Sequence, residues 1–198
     1  ANGHELPFGS EGILVCRKPF PSMTRGFLDG DDRFMQAYFE PWPWMWNHHD
    51  RARTDAEGFW YMCGRDDDLI NRGGVKHDPG QIESALRSFS GEITVTDAVA
   101  VGVPDEKMGQ GIVCFITTSK TPLDQVVFQS ELRRCVGTVY DPSGKPDEIY
   151  ILSALPTTLS AKIPRKKYVQ AYCGETIADA SSYANGHVFA DIAKLGAS

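Results

Sequence analysis

Hydrophobic positions are distributed differently in the two parts of this chain. In the first 60 residues they fall in short runs among Gly, Pro and aromatics. Residues 11–16, Glu-Gly-Ile-Leu-Val-Cys, read as a strand, and Phe59–Cys63 as a second strand entered by a turn at Asp55–Gly58. Between them the spacing of Phe34, Met35 and Tyr38 predicts a short helix, with Asp31 or Asp32 as its cap. Past the charged stretch 65–68, strands and helices alternate. Leu69–Asn71 and Val75–His77 flank a Gly73-Gly74 turn, and Pro79 opens a helix with Ile82, Ala85 and Leu86 on one face. Asp97–Val103 and Gly111–Thr117 read as strands, the first so uniformly apolar that it is expected to be buried. Residues 124–136 predict a helix with Val126, Val127, Leu132 and Cys135 inward, Glu148–Leu152 a strand, and 164–172 a basic final helix. Residues 174–198 read as a small, polar tail with a weak helical pattern near Val188–Leu195.

The pattern places a boundary at the charged turn, between a β-rich segment (1–66) and an α+β domain (67–173), with the tail at 174–198. Composition narrows the function classes. A net charge of −6 over 198 residues weighs against broad binding to a nucleic-acid backbone, which needs a surplus of Lys and Arg. No apolar run approaches the ~18 residues of a membrane span. The five cysteines, Cys16, Cys63, Cys114, Cys135 and Cys173, form no CxxC pair, so they are expected as buried small hydrophobes of a reducing, cytoplasmic compartment rather than as a disulfide frame or zinc site. The start lacks signal-peptide features and an initiator Met, so the chain reads as a piece of something longer.

Dinucleotide and P-loop glycine motifs are absent, as is a nucleophile elbow. Ser143-Gly144-Lys145 reads as an ordinary turn, and His48-His49 as adjacent strand residues whose rings point apart rather than share a metal. Trp42, Trp44 and Trp46 read as packing residues. Three ordered clusters stand out. The first is Asp50, Arg53, Asp55, Glu57-Gly58 and the strand ending in Gly64-Arg65. The second is GRDDDLINRGGVKHDPGQIESAL at 64–86, and the third Leu155–Lys166, Leu-Pro-Thr-Thr-Leu-Ser-Ala-Lys-Ile-Pro-Arg-Lys. Taken singly, each residue is an ordinary turn or surface residue; their order and separation are specific.

Together with Val-Gly-Val-Pro-Asp at 101–105, these clusters resemble the C-terminal third of the adenylate-forming superfamily, most closely acyl-CoA synthetases of the acetyl-CoA synthetase type. The resemblance runs from about residue 10 to about residue 172. It implies a small α+β lid domain, a short β-sheet flanked by helices, behind the end of a larger N-terminal adenylation domain. It implies an acid–thiol ligase that turns ATP and a carboxylate into acyl-AMP, with Mg2+ accompanying ATP, and then transfers the acyl group to CoA. Under it Asp50 receives the ribose hydroxyls of ATP, for which the two oxygens of a carboxylate suit. Arg65 supports ribose and phosphate, Asp67 is the hinge between half-reactions, and Lys162 reaches the carboxylate and α-phosphate during adenylation. Gly73 and Gly74, followed by Lys76, line the channel for the CoA thiol arm.

Four positions depart from the family pattern. His48-His49 replaces Thr-Gly before the ribose aspartate, Ala161 replaces the Gly of Ser-Gly-Lys, and Lys76 replaces an arginine. The arginine that meets the CoA phosphate falls on Gly137. The phosphate loop and the adenine and acyl pockets belong to the part of the family pattern upstream of this chain. The expected partners are therefore its own N-terminal domain, ATP, a carboxylate and CoA, and the chain alone is expected to be inactive. Two other readings are a non-catalytic binding module and an adenylation domain that loads a carrier protein.

Overall fold

A computed structural model of the chain describes residues 3–40 and 42–197. It forms two compact units, one ending at Asp67 and the other beginning at Asp68.

The first unit is a three-stranded antiparallel sheet, β1 (Glu11–Cys16), β2 (Trp46–Thr54) and β3 (Trp60–Arg65), with β2 central and α1 (Asp31–Phe39) placed between β1 and β2 in the chain. The sequence pattern did not mark β2, because its run WNHHDRART is mostly polar. What buries it is aromatic packing: Trp46 stacks on Tyr38 at 4.0 Å between ring centroids and meets Phe34 and Phe39 edge-on. Neither Asp31 nor Asp32 caps α1. Gly30 is the cap residue, without a side-chain bond, and both aspartates lie in the first turn, where their charge complements the helix dipole. Of the three tryptophans, Trp42 and Trp46 are buried, whereas Trp44 is 69% exposed. Asp55 builds the turn into β3 by accepting from the Glu57 and Phe59 amides and the Tyr61 hydroxyl.

The second unit is an α+β domain. Its central strand β7 (Gly109–Thr118) pairs along its length with β6 (Val95–Asp105). β7 also carries β8 (Glu148–Ile151) in parallel along residues 113–116 and meets β4 (Ile70–Arg72) at Gly109. β5 (Val75–His77) closes a hairpin with β4, and Gly73 and Gly74 both adopt positive φ, 59° and 86°, as a two-residue hairpin turn requires. Both faces of the sheet are covered. Ala98, Ala100, Ile112, Cys114 and Ile116 face α2 (Pro79–Arg87) and α3 (Gln125–Val139). Val99, Val101, Val113 and Phe115 face α4 (Arg165–Tyr172) and α5 (Phe189–Gly196). Burial on both sides is why β6 and β7 lack the polar alternation of a half-exposed strand.

Three expectations are corrected by the structure. In α3 the buried side chains are Phe128, Leu132 and Val136, a strict four-residue stripe, while Val126 and Val127 lie in solvent. Of the cysteines only Cys114 is buried; Cys16, Cys63 and Cys135 are partly exposed, Cys173 is exposed, and all are free thiols. α4 is not the final helix: the weak helical pattern near Val188–Leu195 is α5, whose Phe189 and Ile192 are 3% and 0% exposed within the same core as Tyr168 and Phe115.

Candidate functional site

In the first unit, β2–β3 pairing sets Asp50 directly opposite Arg65. A guanidinium nitrogen of Arg65 lies 3.7 Å from Asp50 Oδ1, and the same group donates to both carboxylate oxygens of Asp67, at 2.8 and 3.0 Å. The fork of Arg65 thus engages Asp67 bidentately and leaves Asp50 at its flank. Local backbone geometry produces this placement. His49 adopts φ 62°, the ladder shifts register between Asp50 and Ala52, and the Asp66 amide donates to the His49 carbonyl at 2.7 Å. A left-handed residue in mid-strand turns the next side chain out of the regular alternation. The imidazoles of His48 and His49 diverge: the first contacts Cys16 Sγ, and the second contacts the carbonyl of Ala37 on α1 at 2.7 Å.

In the second unit, the Gly73-Gly74 turn is held from the β6–β7 hairpin. The Gly73 amide donates to the Met108 carbonyl at 2.8 Å, and a Cβ at Gly73 would lie 2.8 Å from Met108 Cε. Asp105 in turn fixes that hairpin by accepting from the Lys107 and Met108 amides, which hold its carboxyl below the usual range. Lys76 stands on β5 opposite Asn71 and is exposed. Next to it, His77 is buried; its Nδ1 lies 3.4 Å from the Tyr140 hydroxyl and its Nε2 has no partner. Burial pushes its pKa below the ordinary 6.5.

Lys162 sits exposed on a tight loop after β9 (Thr157–Thr158). Thr158 organises that loop through three bonds. Its amide donates to the Lys162 carbonyl, its carbonyl accepts from the Ala161 amide, and its hydroxyl accepts from the Lys162 amide at 3.0 Å. Ala161 carries φ 61°, the left-handed conformation in which glycine is at ease and a methyl group is not. Both departures from glycine in the family pattern, His49 and Ala161, therefore keep positive φ.

Three residues beyond Lys162, at the start of α4, Arg165 donates to the buried Glu83 of α2 at 2.6 and 3.3 Å. Its Nε also lies 3.4 Å from Asp68. Burial pushes the Glu83 carboxyl above its ordinary range, opposed by Arg165 and by the Ala100 amide that it accepts. Sequence reasoning took Glu83 only as part of a helix motif; an acidic residue between the buried Ile82 and Ala85 was the available signal. A Cβ at Gly137 on α3 would meet the outer end of the Lys145 side chain, which crosses it from the following loop. Of the expected site residues, the structure groups Asp50, Arg65 and Asp67 in the first unit. Gly73, Gly74 and Lys76 share one hairpin in the second, and Lys162 lies on a separate loop of that unit.

Residues 81–162 match the family model of the AMP-binding enzyme C-terminal domain. Over most of its length the chain is similar to acetyl-coenzyme A synthetases. It is 34% identical over 187 residues to that of Alkalilimnicola ehrlichii, covering 92% of this chain and 28% of the relative. It is 30% identical over 188 residues to that of Methanothrix thermoacetophila, covering 93% and 28%. The chain thus spans little more than a quarter of the curated relatives it matches. In fold it resembles acetoacetyl-CoA synthetase from Streptomyces lividans, with a TM-score of 0.78 and 22% identity over 98% of this chain and 29% of that one.

Proposed function

We propose that this chain is the C-terminal portion of an AMP-forming acyl-CoA synthetase. The observation that carries this reading is the grouping of Asp50, Arg65 and Asp67, in the order and spacing that the family motif requires. Asp50 flanks the Arg65 fork with its carboxylate partly open, so it can accept two ribose hydroxyls while Arg65 offers donors to the neighbouring phosphate oxygens. Arg65 also ties the ribose aspartate to Asp67, the last residue before the second unit, where the reading places the hinge.

Lys162 carries the adenylation step. Its ammonium offsets the negative charge that accumulates as a carboxylate attacks the α-phosphate and pyrophosphate leaves. The compact Thr158 loop limits where that ammonium can reach, which lowers the entropic cost of placing it. In the second half-reaction the CoA thiolate displaces AMP from the acyl-adenylate, and the Gly73-Gly74 backbone admits the slender thiol arm. Lys76 and Lys145 supply the cationic charge for its phosphates, Lys145 standing over Gly137 where the family pattern has an arginine. Among the described residues no three His, Cys, Asp or Glu side chains converge as a metal site. No described helix is long and apolar enough to cross a membrane.

The test compares ATP–pyrophosphate exchange by this chain alone with exchange after the chain replaces the corresponding segment of the Alkalilimnicola ehrlichii enzyme. Carboxylate-dependent exchange by the fusion and none by the chain alone is the expected result. Exchange by the chain alone would overturn the view that its ATP and acyl pockets lie elsewhere.

A further inference from the structure

The residues after position 174 lie outside the matched residues 81–162, yet they pair with the strand that leads into the lysine loop. Strand β10 (Tyr183–Ala184) pairs antiparallel with β9, setting Tyr183 opposite Thr158 and Ala184 opposite Thr157. The next residue, Asn185, takes the left-handed conformation at φ 56° and donates from Nδ2 to the Leu155 carbonyl at 3.4 Å. Tyr168 donates to the adjacent Pro156 carbonyl at 2.9 Å. The strand leading to Lys162 is therefore held at successive positions, 155 and 157–158 by β10 and Asn185 and 156 by α4. Thr158, the residue that β10 grips, is also the one whose hydroxyl fixes the Lys162 amide.

This brace is anchored firmly. Tyr183 packs edge-on against Phe189, which packs against Tyr168, and Phe189 and Ile192 are buried in the sheet core. Gly186 lies so close to the Ala180 backbone that no Cβ fits, which fixes the chain path immediately after Asn185. A two-residue strand is too short to persist unaided. Its anchorage on both sides makes it part of the domain, and among the described residues β10 pairs only with β9.

We infer that β10 with Asn185 is a positioning element for Lys162: it holds Thr158, and through Thr158 the loop, in the geometry that the adenylation step uses. The inference rests on the reading of Lys162 given above. Ala184→Pro disrupts the ribbon, and Asn185→Gly removes the amide contact while suiting the left-handed backbone.

In the chain alone, amide hydrogen exchange at residues 158–162 should rise at least ~10-fold in Ala184→Pro, with exchange at 112–116 unchanged, because local opening is separate from global unfolding. In the fusion the same variant should lower kcat for pyrophosphate exchange ~10-fold and leave KM for ATP within about twofold, the split expected when only transition-state placement is lost. Thioester formation from supplied acyl-adenylate should be unchanged. If Ala184→Pro also loosens residues 112–116, Asn185→Gly decides: faster exchange confined to 158–162 supports the brace. Loop exchange unchanged in both variants, or a loosened loop with undiminished kcat, overturns it. Lys162→Ala is run beside them. If that variant keeps full exchange, the reading of Lys162 fails, while the loop measurement on the chain alone still judges the brace.

Discussion

Arg165 lies 2.6 Å from the buried carboxylate of Glu83, a residue 82 positions earlier in the chain. The pair joins the start of α4, just past the lysine loop, to the middle of α2, and Arg165 reaches Asp68 as well. Such a pair gains little over a well-packed apolar substitute, but breaking it from one side leaves a buried charge unmatched. Arg165→Met should cost about 3–5 kcal/mol in urea unfolding. Glu83→Gln should cost less, because Arg165 keeps Asp68 and is the more exposed partner, at 17% against 4%. Equal losses in the two variants would contradict this account of the pair.

Ala161→Gly should raise stability by roughly 1 kcal/mol, since relief of the left-handed conformation outweighs the entropy that glycine adds to the unfolded chain. His49→Gly should gain less or nothing. It relieves the same conformation but deletes the imidazole contact with the Ala37 carbonyl. Thermal unfolding of the two variants side by side checks the contrast.

His77 sets a pH dependence. Burial lowers its pKa in the folded state, and its Nε2 has no acceptor to receive a proton's bond. The unfolded chain therefore binds that proton first. The stability associated with neutral His77 is complete above its ordinary 6.5 and is lost as pH falls below it, at no more than about 1.4 kcal/mol per pH unit. Urea midpoints measured from pH 7.5 to 5.5 should decline for the natural chain and decline less for His77→Phe.

Most of the second unit was legible because its signals are local. Pro79 at a helix start, glycines in a hairpin turn and long apolar strands each fix their element without distant help. The phase of α3 was not. Val126 and Val127 are apolar enough to suggest an inward face, but the sheet meets the stripe of Phe128, Leu132 and Val136. Strand β2 and the β9–β10 ribbon were hidden for the opposite reason, since polar or two-residue strands exist only through their partners. At the site, motif spacing led to Asp50, Arg65 and Lys162, whereas Asn185 and the crossing of Lys145 over Gly137 are tertiary facts with no pattern in the chain.

Lys145 offers a further check on the thioester step. In the fusion, Lys145→Ala should raise KM for CoA several-fold without changing ATP–pyrophosphate exchange, as expected for a cation that meets phosphate only in the second half-reaction. Adding Gly137→Arg to that variant, in which the Lys145 side chain no longer crosses residue 137, should restore much of the loss.

The role of Lys162 is tested most directly by ATP–pyrophosphate exchange in the fusion carrying Lys162→Ala. Loss of one preorganised charge at the reacting phosphate should slow exchange by roughly 100-fold or more, while thioester formation from supplied acyl-adenylate continues. Undiminished exchange in that variant would contradict the assignment of Lys162 to adenylation.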